Sequence, residues 1–438
     1  VSVVVRGVGW IALYVAVGVV PLVFAVIGPV EGGRGFWTEF AVALGFVGMS
    51  MLGAQFALVA RFRAVAAPFG EDALVQFHRQ VSYVALAFIL AHPILLQVGG
   101  VDIVALLNLA QAPWRARCAV ASTVLLLVVV ATSVWRRRLR IRYEVWQLLH
   151  GGLSVVVVGL ALAHMLLVGY YLDAAWKVWL WGLMTLALVG LLVWVRVVAP
   201  IRRLRRPWQV ERVTAERGDA TTLTLTPAGH AGFRFEPGQF GWLTVGRSPF
   251  AVTAHPFSFS SSAEDPDRIE MTIKALGDFT SGIGDVAPGT RAFLDGPHGV
   301  FTPDRNEGPG FVLIAGGVGI TPMVSILRTM ADRGDRRPFL LIYAVRTMEE
   351  QTFDAEISSL TRRVDIEVVP VPQYPPESWD GEYGFVDRAL LHRHLPDRYR
   401  WQQYFICGPP PMVTAVEDAL AALDVPAERI HTERFTFV

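Results

Sequence analysis

HRQVSYVALAFILAH (residues 78–92) and HGGLSVVVVGLALAH (residues 150–164) are two apolar stretches with a histidine at each end. On a helix of about 3.6 residues per turn, fourteen residues make close to four turns. His78 and His92 therefore return to nearly one face, about 21 Å apart along the axis. His150 and His164 repeat that geometry on a second helix.

The surroundings of both stretches are membrane-grade. The chain is 53% hydrophobic and only 18% charged, far from an ordinary soluble enzyme of this length. The excess lies in residues 1–200, where six spans are expected: Val8–Val30, Phe36–Ala60, Phe77–Val98, Cys118–Trp135, Val145–Val168 and Ala174–Val198. Each approaches the roughly 20 apolar residues that a helix needs to cross the hydrocarbon layer. The first lacks the short apolar region and small-residue cleavage pattern of a signal peptide and is expected to be a retained span. Arg6, Arg61, Arg63, RRRLRIR at 136–142 and RRLRR at 202–206 mark one side of the membrane, while EGGRG at 31–35 and GYYLD at 169–173 on the other are poor in basic residues. Arg115 and Arg117 weaken the contrast. The positive-inside tendency predicts a multi-pass protein of the cell membrane with both termini and the soluble half in the cytoplasm.

In that topology the third and fifth spans run in the same direction. His78 then shares a cytoplasmic-side level with His150, and His92 shares the far level with His164. A single intramembrane histidine is commonly a polar residue satisfied by a neighbouring helix. A matched set at two levels points instead to two b-type haems, each with two axial imidazoles from facing helices. Zinc fits less well, because each level supplies only two histidines and no cysteine or carboxylate stands beside them in the sequence.

The soluble half reads as two parts. From about Trp208 to Thr302, short alternating stretches such as TTLTLTP and FGWLTV, broken by Gly and Pro, predict a small antiparallel barrel. GFVLIAGGVGITPMVSIL at 310–327 reads as strand, glycine-rich turn and helix, with further strands in PFLLIYAV and QYFICGPPPM. That alternation predicts a parallel nucleotide-binding α/β domain. Gly316, Gly317 and Gly319 would let the backbone approach a pyrophosphate, although GGVGITP is not the commonest dinucleotide fingerprint and a plain tight turn is the alternative.

HPFSFSS at 255–261, GDFT at 277–280, DGPHG at 295–299, GGVGITPM at 316–323 and CGPPPM at 407–412 follow the order of the ferredoxin-NADP reductase superfamily. Joined to RYEVWQLLH at 142–150 and the paired histidines, the chain resembles the transmembrane ferric reductase and NADPH oxidase family over nearly its whole length. The resemblance implies a six-span di-haem domain over 1–204, an antiparallel β-barrel FAD domain over 205–304 and an α/β NAD(P) domain over 305–438. It further implies a flavin site at His255, Pro256, Phe257, Ser258 and Ser260, with Gly277 and Thr280 holding the flavin pyrophosphate. Gly316, Gly317, Gly319, Thr321 and Pro322 match the pyridine-nucleotide phosphate loop. Cys407, Gly408 and Pro409 match the segment beside the nicotinamide. Phe435 resembles the terminal aromatic that covers the flavin, with Phe437 as its competitor.

Some positions depart from the family pattern. Phe279 stands where the family often has Trp, and His298 where it often has Tyr; His298 is given no catalytic part and is expected to be a solvated loop residue. Arg346 is placed to meet the 2′-phosphate of NADPH, whereas Glu349 and Glu350 oppose it, so NADPH is expected with NADH as the alternative. By its motif position Cys407 is expected to act near hydride transfer, with inert packing as the alternative. With two cysteines in all, Cys118 and Cys407, the sequence supports neither a disulfide framework nor an iron–sulfur cluster. It shows no EF-hand pattern and no nucleic-acid-binding pattern.

A nicotinamide gives up two electrons as hydride, a haem takes one at a time, and a flavin can do both. The implied activity is a transmembrane NAD(P)H oxidoreductase delivering electrons through FAD and two haems to an extracytoplasmic acceptor. Oxygen, giving superoxide, is expected first because the outer loops are short. A ferric chelate, or a membrane or periplasmic partner protein served by an electron-delivery subunit, are the alternatives. A transporter with a regulatory nucleotide-binding domain would call for intramembrane acids, which the spans almost lack.

Overall fold

The computed structural model describes residues 3–27, 33–58, 60, 69–172, 174–251 and 254–434. It divides into two compact units, Val1–Ala199 and Pro200–Val438.

Among the described residues the first unit holds six helices long and apolar enough to cross a membrane: α1 Val3–Val26, α2 Phe36–Leu58, α3 Glu71–Val98, α4 Trp114–Val134, α5 Tyr143–Val168 and α6 Ala175–Val193. Their bounds differ from the hydropathy reading mainly at the starts. α3 begins six residues before Phe77, because hydropathy marks the hydrocarbon-crossing part while backbone hydrogen bonding carries the helix beyond it. α4 begins at Trp114, directly after Pro113, which is extended and marks the start. α6 does not simply end; it passes through a π-helical segment, Trp194–Val198, into a last helical stretch, Ala199–Leu204. The outward faces are apolar, with Leu183 64%, Leu186 65% and Trp179 77% exposed, as lipid contact requires. α2 packs along α3 and α4 along α5. Ser122 joins the second pair by donating to the Val157 carbonyl at 2.9 Å.

The second unit begins with an antiparallel sheet: β1 Trp208–Glu216, β2 Ala220–Pro227, β3 Phe240–Val245, β4 His255–Ser258, β5 Ile269–Lys274 and β6 Arg291–His298, in the order β4-β3-β6-β1-β2-β5. A bridge between Phe259 and Met271 links the two edges, curling the sheet into a half-barrel. Leu223, Leu225, Leu243, Phe259, Ile269 and Met271 fill it. A parallel sheet follows: β7 Phe311–Gly316, β8 Phe339–Val345, β9 Ile366–Pro372, β10 Gln403–Cys407 and β11 Ile430–Glu433, in the order β11-β10-β7-β8-β9. Its strands are near-continuous apolar runs because helices cover them. These are α7 Ile320–Arg333, α8 Asp354–Leu360, α9 Arg388–His394 and α10 Pro410–Ala421. Two apolar cores result, one containing Leu313, Leu327 and Leu341, the other Ile314, Ile342 and Leu420. The carboxyl ends of β7, β8 and β10 therefore place Gly316, Arg346 and Cys407 at one edge of the sheet.

Candidate functional site

The spacing within α3 and α5 brings the four histidines together as two pairs. The His78 and His150 rings lie 6.3 Å apart between centroids, and those of His92 and His164 6.4 Å apart. With metal–nitrogen bonds of about 2 Å and about 1.1 Å from nitrogen to ring centre, one ion in line between two imidazoles sets the ring centres about 6.2 Å apart. Both pairs lie close to that figure. Among the described residues no group of three or more His, Cys, Asp or Glu converges. Such a two-imidazole donor set suits an iron whose macrocycle supplies the remaining ligands.

The other ring nitrogens settle which nitrogen is offered. His92 donates from Nδ1 to the Ala41 carbonyl at 2.7 Å, and His164 donates from Nδ1 to the Arg115 carbonyl at 2.8 Å. A carbonyl only accepts, so both rings carry hydrogen on Nδ1 and present an unprotonated Nε2, the state an axial ligand needs. Gly45 makes the first of these bonds accessible: a Cβ there would lie 3.0 Å from His92 Nδ1. At the other level Ser133 Oγ lies 3.1 Å from His150 Nδ1. None of these supports was foreseen from the sequence.

The flavin motifs converge on the half-barrel. His255 of β4 stacks on Phe279 at 4.2 Å and 23°, and Phe257 lies nearly parallel to Phe279 at 6.2 Å and 13°. HPFS and GDFT thus form one aromatic surface. Pro256 and Ser258 point into the sheet. Thr280 Oγ1 accepts from the backbone of Leu276 and Gly277, at 2.9 Å each, and shapes the turn that carries Gly277. Ser260 differs: it is fully buried, and its hydroxyl accepts from Thr272 at 3.1 Å. Its carbonyl receives Arg328 Nη1 at 2.7 Å, and the same guanidinium pairs with Glu270 and Glu356. Arg328, the lone charge in the apolar stripe of α7, is a clamp that the motif reading missed. His298 is 5% exposed and lies on β6 beside the Phe240 ring, which corrects its assignment as a solvated loop residue.

In the parallel sheet, Gly317 is left-handed (φ 52°) and faces open space, whereas a Cβ on Gly319 would lie 2.1 Å from the Cys407 carbonyl oxygen. The first glycine sets the turn, and the second lets the turn after β7 touch the end of β10. Gly316 and Gly408 approach backbone to backbone, within 3.1 Å of a would-be Cβ. Thr321 donates to the Val318 carbonyl at 2.8 Å, closing the first turn of α7 with Pro322 buried behind it. Cys407 is fully buried and Pro409 caps α10. Arg346 is exposed just after β8, next to Tyr374, whose N–H bonds the Arg346 carbonyl at 2.9 Å. Of the two acids near it, Glu350 is paired with Lys274 at 3.1 Å. The Thr347 hydrogen bond holds the Glu349 carboxyl below its ordinary pKa. Phe435 and Phe437 lie outside the described residues.

Residues 44–161 match the family of ferric reductase like transmembrane components, 208–300 a family of FAD-binding domains, and 313–418 the oxidoreductase NAD-binding domain. The class is thus a membrane domain joined to a ferredoxin-NADP-reductase-like flavin and nicotinamide oxidoreductase module. The order of these domains matches the architecture of the ferric reductase and NADPH oxidase family. The reductase component of propane 2-monooxygenase from Rhodococcus jostii is 31% identical over 54% of this chain and 65% of its own length. That of Mycolicibacterium goodii is 30% identical over 54% and 69%. The ferredoxin reductase component of 3-ketosteroid-9-alpha-monooxygenase from Mycolicibacterium smegmatis is 32% identical over 52% and 64%. The chain therefore spans slightly under two thirds of the first and third of these relatives. Among solved structures, the Amycolatopsis cytochrome P450 reductase GcoB is 28% identical over 52% of this chain and 69% of that one, with a TM-score of 0.47.

Proposed function

We propose that the chain is a transmembrane oxidoreductase that takes electrons from NADPH on the cytoplasmic side, uses FAD and two b-type haems, and delivers electrons to an extracytoplasmic acceptor. The observation that carries this reading is the pair of histidine levels, each spaced for one metal, in the same chain as a flavin and nicotinamide module. When bound, the flavin converts a two-electron hydride donor into single electrons that haem iron can carry. His78 with His150, and His92 with His164, would hold the irons through Nε2. The His255, Phe257 and Phe279 surface would pack the isoalloxazine, with Ser258 toward its reactive edge and Gly277 at the pyrophosphate. The 316–322 loop would cradle the nucleotide phosphates, Cys407 would lie beside the nicotinamide, and Phe435 would cover the flavin until nicotinamide displaces it. We assign the membrane domain to 1–204, the flavin domain to 205–304 and the nucleotide domain to 305–438.

Oxygen is the favoured acceptor, with superoxide as product. Irons each held by two histidines would offer no open position, and the described connection between α3 and α4 is short, holding only one helical turn, Ile103–Leu106. Reduction of a ferric chelate is the second reading, favoured by the match of 44–161 to ferric reductase like components.

The test is an absorption spectrum of the detergent-purified chain supplied with haem and FAD, taken anaerobically before and after NADPH. The expected result is two reducible b-type haems per chain, followed on readmitting oxygen by superoxide. Absence of haem bands would overturn the reading and leave a membrane-anchored flavin reductase. Reoxidation by ferric chelate but not by oxygen would replace the first acceptor with the second.

A further inference from the structure

The two histidine levels are held by different chemistry. At the outer level both rings donate Nδ1–H to a backbone carbonyl, His92 to Ala41 at 2.7 Å and His164 to Arg115 at 2.8 Å. At the inner level His78 Nδ1 is buried and has no protein acceptor among the described residues. His150 meets a hydroxyl instead of a carbonyl. Ser133 Oγ spends its one hydrogen on the Val129 carbonyl at 2.7 Å, so it accepts at both lone pairs. One receives Trp146 Nε1–H at 3.3 Å and the other His150 Nδ1–H at 3.1 Å. Trp146 also lies against the His150 ring, 5.0 Å between centroids and tilted 38°. Ser133, Trp146 and His150 thus form a closed set in which the hydroxyl fixes the tautomer and turns Nε2 inward, but accepts weakly because it is shared.

We propose that Ser133 is a positioning residue for His150, and that the asymmetry between the levels makes the inner haem the easier of the two to reduce. This rests on the two-haem reading above. An acceptor on Nδ1–H pushes electron density onto Nε2, makes the imidazole a stronger donor and favours the oxidised iron. Two carbonyls do this at the outer level; one shared hydroxyl does it at the inner. The consequence is a membrane path whose first haem fills readily from the flavin, and whose outward step depends on the acceptor and the membrane potential.

The experiment is spectroelectrochemical reduction of the full, haem-loaded chain, read as midpoint potentials without any turnover. Wild type should show two one-electron waves, the higher removed in His78→Leu and the lower in His92→Leu. Ser133→Ala should move the higher wave further up, by about tenfold in its reduction equilibrium, which is about 59 mV, and leave the lower wave in place. Ser133→Thr should restore it. Trp146→Phe keeps a ring against His150 but frees the hydroxyl for the histidine alone, so it should move the higher wave in the opposite direction. Loss of the lower wave in His78→Leu would overturn the assignment of levels. Equal movement of both waves in Ser133→Ala, or an upward shift in Trp146→Phe, would overturn the role of Ser133. Trp146→Phe and Ser133→Thr keep the test decisive should Ser133→Ala fail to assemble. A wild-type chain without haem would sink the functional reading, and this inference with it.

Discussion

The membrane unit and the soluble unit build their sites by opposite means. In the first, helices supply regular spacing and the candidate site is made of four side chains, each held by at most one hydrogen bond from a ring nitrogen. In the second, the nucleotide loop is built by backbone meeting backbone, with Gly319 against the Cys407 carbonyl and Gly316 against Gly408. The physical reason is the surroundings. In lipid the backbone must satisfy itself within each helix, leaving side chains as the only free donors. At the end of a parallel sheet, strand ends converge and expose backbone groups that can hold phosphate. Function in the first unit should therefore be separable from folding, and in the second it should not.

The largest effect expected is all-or-none. His92→Leu should lose one of two haem equivalents per chain, measured by reduced-haem absorbance, while the chain still purifies as a folded protein. Collapse of the whole protein would break the contrast. Gly319→Ala is its counterpart, because a Cβ 2.1 Å from the Cys407 carbonyl oxygen cannot be relieved by a rotamer change. Overpacking at such a contact should destabilise the nucleotide domain by about 3 kcal/mol, seen as an earlier thermal transition and lost NADPH-dependent flavin reduction. An unchanged transition would show that this turn is less constrained than its geometry states.

Arg328→Met comes next. The guanidinium ties Ser260 and Glu270 of the half-barrel to Glu356 of α8, and its removal takes the close partner from both carboxylates, leaving Glu270 only the longer contacts with Arg268 at 3.7 Å and Arg212 at 3.9 Å. A loss of about 3 kcal/mol is expected, together with weaker FAD retention, read by flavin fluorescence after gel filtration. Arg328 also marks the limit of what the sequence tells. The histidine pairs were legible because a fourteen-residue spacing on an apolar helix has one geometric meaning. The parallel sheet was legible from its apolar strands and glycine turn. The Ala41 and Arg115 carbonyls were not, since a backbone acceptor leaves no trace in residue type. Ser133 and Trp146 belong to that hidden set because the sequence does not show which side chains of α4 face α5. Ser260 read as a flavin residue by its motif, yet the barrel folds it inward against Thr272.

A smaller effect tests the soluble unit by pH. His431 on β11 donates Nε2–H to Gln403 Oε1 at 2.9 Å and lies against Phe405, and burial pushes its pKa down to about 4. The unfolded chain takes up this proton near pH 6.5 and the fold only near 4, so the neutral ring's contribution is complete above about pH 6.5 and is lost as pH falls toward 4. That contribution is on the order of 2 kcal/mol. In His431→Gln the melting temperature should fall less steeply over this window. A wild-type profile as flat as the variant's would show the ring to be hydrated in solution.

The smallest effect concerns the nicotinamide donor, where the proposed choice of cofactor rests on a single side chain. Arg346 stands exposed at the end of β8; of the two acids near it Glu350 is engaged by Lys274, whereas Glu349, held below its ordinary pKa by Thr347, stays ionised. On the proposed reading its guanidinium would recognise a 2′-phosphate, an interaction with geometric as well as electrostatic specificity. Arg346→Ser should raise KM for NADPH by about tenfold, equivalent to about 1.4 kcal/mol, and leave KM for NADH unchanged. Because the site is open to solvent, the wild-type preference for NADPH should narrow as salt rises. Equal loss with both cofactors would mean that Arg346 holds the shared pyrophosphate instead, placing this residue with the backbone loop.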